Sequence, residues 1–227
     1  MQYKQIQKGV FLDRPGRFIA HVEVDGVVQV CHVKNTGRCQ ELLLPGATVY
    51  VDKAPAGAVR KTLFDLVAVE KGNLLINMDS QAPNRAAEEF LRAGGLFGPP
   101  RLVRPETKWG NSRFDFYLET SEDKIFVEVK GVTLEQNGLA LFPDAPTQRG
   151  IKHLEELIAC TAEGYKACAL FVIQMKGVNA FAPNEETHPA FAATLRKARD
   201  AGVSLFAYDC CVTPASMVLN APVPILL

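Results

Sequence analysis

The stretch SRFDFYLETSEDKIFVEVKGVTL, residues 112–134, constrains the fold more than any other part of the chain. Two apolar runs flank a short polar link, the pattern of a β-hairpin. Side chains on a strand alternate between faces. In the second run Ile125, Val127 and Val129 share one face, and Phe126, Glu128 and Lys130 share the other. In the first run Phe114, Phe116 and Leu118 share a face, and Asp115 and Tyr117 point the opposite way. A four-residue loop, Thr120–Asp123, pairs Glu119 with Lys124 and sets Asp115 directly opposite Glu128. Opposed residues have Cβ atoms about 5 Å apart, and two like charges there destabilise a sheet. A divalent cation reverses that sign, because hard cations are held by carboxylate oxygens. Lys130 lies one same-face step further along. The register depends on the loop: one residue more or less breaks the direct pairing.

The 227 residues suffice for one large domain or two small ones. With 48% hydrophobic and 22% charged residues the composition is that of a globular protein. Formal net charge is zero, so any basic surface for nucleic acid has to be local. No apolar run approaches the roughly 18 residues that span a bilayer, and the first residues carry no uninterrupted apolar leader. A cytoplasmic protein without a membrane partner is expected. Six cysteines without a C-x-x-C pair fit reduced thiols. Cys31, His32 and Cys39 match no common zinc spacing, and Cys31 sits in an apolar strand pattern, which reads as a plain buried thiol.

Residues 1–81 read as all-β. RFIAHVEVDGVVQVCHV is two alternating runs around an Asp25-Gly26 turn, and ATVYVDKA, TLFDLVAVE and NLLINM supply further short strands. About five strands suggest a small barrel of the OB type. Residues 82–227 alternate helices and strands. PNRAAEEFLRAGG, TQRGIKHLEELIACTAEG and HPAFAATLRKARDAG are helical, while RLVRPETKW, the hairpin, ACALFVIQM and VSLFAYDCCV are strands. That order predicts an α/β unit with a mixed sheet.

An Asp followed by Glu-x-Lys on an adjacent strand, with a helix carrying Glu88 and Glu89 before them, is the core pattern of PD-(D/E)XK nucleases. The chemistry suits the residue types. Phosphodiester cleavage uses a cation to neutralise phosphoryl oxygens and supply hydroxide near neutral pH, and a lysine beside it can orient or help deprotonate the attacking water, or stabilise developing charge. A buried ion cluster, with Lys130 paired to both acids, satisfies the spacing equally well.

RPGRFIAHV, HVKNTGRCQELLLPG, APNRAAEEF, SRFDFYLE, VEVKGVTL and LFPDAPTQRGIKHLEEL together resemble the sugar fermentation stimulation protein (SfsA) family, from near the N-terminus to the last strand. The resemblance implies an OB-like N-terminal domain, residues 1–81, and a PD-(D/E)XK nuclease-like domain, residues 82–227. It also implies binding of nucleic acid, DNA above all, historically linked to regulation of sugar-utilisation genes. Mapped onto this sequence, it points to Glu89, Asp115, Glu128 and Lys130 as catalytic residues, with the three acids as ligands for Mg or Mn. Gly131 stands where the family pattern suggests serine, and Cys39 where it suggests a hydrophobic residue. The polar turn KNTGRC is either a tight loop in its own right or a phosphate contact through Asn35, Thr36 and Arg38, and the resemblance tips the balance to contact. Arg17 lies beside that turn. On the helix after FPDAPTQRG, Arg149 and His153 share a face with Lys152 nearby, which suits a solvated face or phosphate contact. There His153 reads as a hydrogen-bond donor before a metal ligand.

Overall fold

The computed structural model describes residues 1–37, 39–110 and 112–227. Six strands come first: β1 (Ile6–Gly16), β2 (Ile19–Val24), β3 (Val27–Val33), β4 (Thr48–Lys53), β5 (Phe64–Lys71) and β6 (Leu74–Asn77). Asp25 and Gly26 both adopt positive φ, 50° and 76°. That is the geometry that lets a two-residue turn match the twist of its strands, and Val24 pairs with Val27 across it. The strands run β3-β2-β1-β4-β5-β6, and a parallel β3–β5 pairing closes the first five into a barrel of the expected OB type. The long first strand was not expected from the sequence. Its alternation is interrupted by two register shifts against β2, at Phe11/Asp13 and Asp13/Gly16.

A helix, α1 (Ala82–Arg92), leads into the second unit: β7 (Leu102–Trp109), β8 (Ser112–Glu119), β9 (Lys124–Val132), β10 (Leu134–Gln136), β11 (Leu139–Phe142), α2 (Gln148–Ala162), β12 (Lys166–Ile173), β13 (Ala180–Pro183), α3 (Pro189–Asp200), β14 (Ser204–Thr213) and β15 (Ser216–Pro222). The main sheet runs β15-β14-β12-β9-β8-β7, and β10-β11-β13 form a small one. β12 pairs in parallel with both β9 and β14, while the outer pairings are antiparallel, so the sheet is mixed. Seven of the eight β12 residues are buried, as a strand covered on both faces requires. The small residues Ala82, Ala86 and Ala87, with Leu91, bring α1 onto one face, against Val127, Val129 and Leu170. Leu154, Leu157 and Phe191 bring α2 and α3 onto the other. Thr147 caps α2, its hydroxyl accepting the Gly150 N–H at 3.0 Å.

A buried polar hub joins the barrel to the sheet. Asp79, fully buried, accepts from Lys34 at 3.0 Å, Arg85 at 2.7 Å and the Tyr3 hydroxyl at 3.2 Å. Gln174, at the end of β12, donates to the carbonyls of Asn77 at 2.9 Å and Asp79 at 3.3 Å. Removing one partner from such a buried charged set is strongly destabilising. Gly131 belongs to the same packing. A Cβ there would stand 2.6 Å from Gln174 Oε1 and 2.7 Å from Pro83 Cγ, so any side chain at this position requires those neighbours to shift.

Candidate functional site

The hairpin register is the one the four-residue loop demands. Glu119 pairs with Lys124, Leu118 with Ile125 and Phe116 with Val127. The ladder then stops one pair short of Asp115 and Glu128. Asp115 Oδ2 accepts the Val129 N–H at 2.7 Å, and Oδ1 accepts the Asn84 side-chain amide at 2.7 Å. A side-chain carboxylate thus stands in for the backbone acceptor that β8 would have offered. The consequence is a break in alternation. Phe114 packs with Tyr117 and Phe126, while Phe116 and Leu118 pack beneath α1. The expected shared face of Phe114, Phe116 and Leu118 is therefore not formed, and the two acids are not a regular cross-strand pair. Opposite the break, in β7, Glu106 adopts φ 54°.

Glu128 and Asp115 still feel each other. Burial and the Glu128 charge push the Asp115 carboxyl up to about 6, against the Val129 N–H, the Asn84 amide and Lys130, which pull it down. Burial also pushes Glu128 up, but the His153 N–H and the Lys130 charge outweigh it and hold Glu128 below the usual carboxylate range. Lys130 Nζ donates to Glu128 Oε1 at 2.7 Å, and His153 Nδ1 also contacts Oε1. Glu128 is only 4% exposed in its side chain. Its second oxygen, Oε2, is buried and has no hydrogen-bond partner. An unpartnered buried carboxylate oxygen beside a second carboxylate is the arrangement a hard cation resolves.

Glu89 is not brought to this pair. It points from α1 toward the amino group of Met1, and its side chain is 61% exposed. The reason is helical phase. Asn84 reaches Asp115, and the residue one turn on from Asn84 is Glu88, not Glu89; Glu88 pairs with Arg92 at 2.6 Å. Among the described residues no three Asp, Glu, His or Cys side chains gather with metal-holding geometry. This holds for Cys31, His32 and Cys39 as well; both thiols are buried and unbridged.

On α2, Arg149 and His153 do share a face, and Arg149 Nε lies 3.3 Å from His153 Nε2. His153 is buried against Glu128 rather than displayed to solvent. Lys152 points elsewhere, 3.8 Å from Glu156. On the barrel, the Arg17 guanidinium donates to the Thr36 carbonyl at 2.8 and 3.1 Å and lies over the Phe18 ring. Asn35 uses both ends of its amide on the fold, donating to the Met78 carbonyl and accepting the Gly37 N–H. Thr36 is exposed. Arg38 lies outside the described residues. An open groove of about 680 Å³ runs past Arg14, Arg17, Thr36, Gly37 and Gln40 to Ala145, which precedes α2. A smaller cleft of about 160 Å³ lies between barrel and sheet, bordered by Thr36, Ser80, Gly131, Asp144 and Gln174. Sequence reasoning missed Asn84, which it treated only as part of a helix start. Its position one turn before Glu88 was the available signal.

Two family models match the chain. The sugar fermentation stimulation protein RE domain matches residues 81–216, and the SfsA N-terminal OB domain matches residues 12–78. The sugar fermentation stimulation protein homolog of Ruminiclostridium cellulolyticum is 54% identical over 227 residues, covering 100% of both chains. That of Desulfitobacterium hafniense strain DCB-2 is 55% identical over 217 residues, 96% of this chain and 94% of the other. The structure of Pyrococcus furiosus SfsA in complex with Ca2+ superposes with a TM-score of 0.88 at 26% identity, covering 100% of this chain and 98% of that one. Barrel, mixed sheet and sequence agree across the whole length, and the chain belongs to the sugar fermentation stimulation protein family.

Proposed function

We propose that this protein binds DNA and cleaves its phosphodiester bonds with the help of Mg or Mn. The observation that carries this reading is Glu128 Oε2, buried and without a donor, beside the Asp115 carboxylate and Lys130. Asp115 and Glu128 would hold the cation; with two protein carboxylates, the remaining positions fall to water and substrate, the usual pattern for Mg. The bound ion would neutralise phosphoryl charge and lower the pKa of water. Lys130 would orient the attacking water or stabilise charge on the phosphate. The Ca2+ in the Pyrococcus furiosus relative supports a cation in this fold.

Arg14 and Arg17 line the barrel groove and Arg149 lies beside His153, and they supply local positive charge on a chain of zero net charge. Arg17 stacked over Phe18, 44% exposed, suits a phosphate beside a base. Phosphate contacts make affinity fall steeply with salt. A second reading, a DNA-binding regulator that keeps the fold without cleaving, is favoured by the distant Glu89 and by Lys130 being engaged with Glu128. Labelled single- and double-stranded DNA and RNA, incubated with Mg, with Mn and with chelator, separate the two. Cleavage only with the ions supports the nuclease; salt-sensitive binding without cleavage supports the regulator; no binding at low salt removes both.

A further inference from the structure

Both donors on Glu128 fall on the same oxygen. Lys130 Nζ and His153 Nδ1 contact Oε1, and Oε2 is left bare although buried. Leaving a buried polar atom unpaired is costly, so a carboxylate with free choice would divide two donors between its oxygens. The direction is imposed from the donor side. Lys130 is fixed on β9, two residues from Glu128, and only 12% exposed. His153 is fixed on α2 and 7% exposed. Arg149, one turn before His153, lies with Nε 3.3 Å from Nε2. A guanidinium can only donate, so Nε2 carries the lone pair; Lys130 Nζ lies 3.4 Å from Nδ1, but the closer Glu128 oxygen can only accept, which puts the ring proton on Nδ1, facing Glu128.

We infer that Arg149 and His153 are positioning residues, which with Lys130 turn Glu128 so that Oε2 alone is presented to a divalent cation. This rests on the cation reading above. It also removes two other roles for His153. Nδ1 carries the proton and the Nε2 lone pair is turned to Arg149, so neither nitrogen is offered to a metal, and a side chain buried to this degree does not reach a phosphate. Partners of this kind, one shell out from the ion, set the orientation and basicity of a ligand, and their loss costs about 10–100-fold in metal affinity.

The test is Mn2+ binding by titration calorimetry to the full-length chain, without nucleic acid, for wild type, His153→Ala, His153→Asn and His153→Gln. Asparagine places its amide N–H where Nδ1 stands; glutamine fills the space but carries its N–H toward the Nε2 position. The expected result is a loss of about 10–100-fold for Ala and Gln and recovery of most of it by Asn. The Asn–Gln contrast reads the donor position even where the alanine variant folds poorly. Equal affinity for all four chains overturns the positioning role while leaving the cation site standing. Equal losses for Asn and Gln overturn it too, since bulk packing would then be the cause. No Mn2+ binding by wild type overturns the cation reading and this inference with it.

Discussion

Asp115 takes the Val129 N–H at 2.7 Å, doing with a side chain what the β8 backbone does everywhere earlier in the hairpin. One residue thereby ends a ladder, reverses the side-chain alternation and sets a carboxylate beside Glu128. The two acids are then unequal. Asp115 is held by neutral N–H donors, Glu128 by an ammonium and an imidazole.

The inequality makes opposite predictions for the two neutral variants. The Asp115 carboxyl is raised from 3.8 to about 6 in the folded chain. Its ionised form is therefore disfavoured by folding. The folded state binds the proton over a range where the unfolded state has released it, so metal-free stability falls as pH rises from about 4 to about 6 and levels off above. The loss is up to about 3 kcal/mol. Asp115→Asn is expected to remove this slope and, with the Asn84 amide turned over so that its oxygen accepts the new NH2, raise the thermal midpoint in chelator at pH 7. Midpoints measured from pH 4 to 8 that run parallel for wild type and variant would show that Asp115 is not under strain.

Glu128→Gln is expected to do the reverse. It leaves the Lys130 ammonium, 12% exposed, without its counter-charge, and breaking a buried pair costs about 3–5 kcal/mol. The double variant Glu128→Gln with Lys130→Met should recover a large part of that loss. Chemical denaturation of the three chains in chelator checks it, and a Glu128→Gln chain as stable as wild type contradicts it.

Burial pushes the thiols of Cys31, Cys39 and Cys160 up to about 12, and those of Cys168 and Cys210 higher still. Cys211 alone among the six is partly exposed. A thiolate-selective reagent at pH 8 is expected to label one thiol per native chain quickly and the other five only on unfolding. Two or more fast thiols would mean that the core opens on the labelling timescale.

Much of this was legible in the sequence. The hairpin register followed from loop length and alternation, and the closed barrel from Asp25-Gly26 and the short strands after it. β1 was missed because its bulges break the period-two pattern, and β15 because SMVLNAP after a strong strand reads as a tail. The site was legible only in part. Asp115, Glu128 and Lys130 lie on one hairpin, where spacing fixes the neighbourhood. Glu89 depended on the phase of α1 against the sheet, which is set by tertiary packing of Ala82, Ala86 and Ala87. The burial of His153 likewise depended on how α2 sits over β9, and its apparent place on a solvated face gave no sign of Glu128 beneath it.

The central claim is that Asp115, Glu128 and Lys130 form a cation-assisted centre for phosphodiester cleavage. Lys130 tests it most directly, since an ammonium has no lone pair for a metal and, once the cation is saturating, its contribution is to rate. Single-turnover cleavage of labelled DNA across a Mg and Mn series is the measurement, for wild type, Lys130→Ala and Lys130→Arg. Wild type is expected to cleave. With the cation saturating, because Lys130 also helps to orient Glu128, both variants are expected to lose cleavage while keeping DNA affinity, since arginine stays charged and does not accept a proton. Equal rates for the three chains would take Lys130 out of the mechanism, and no cleavage by wild type with either ion would contradict the nuclease account itself.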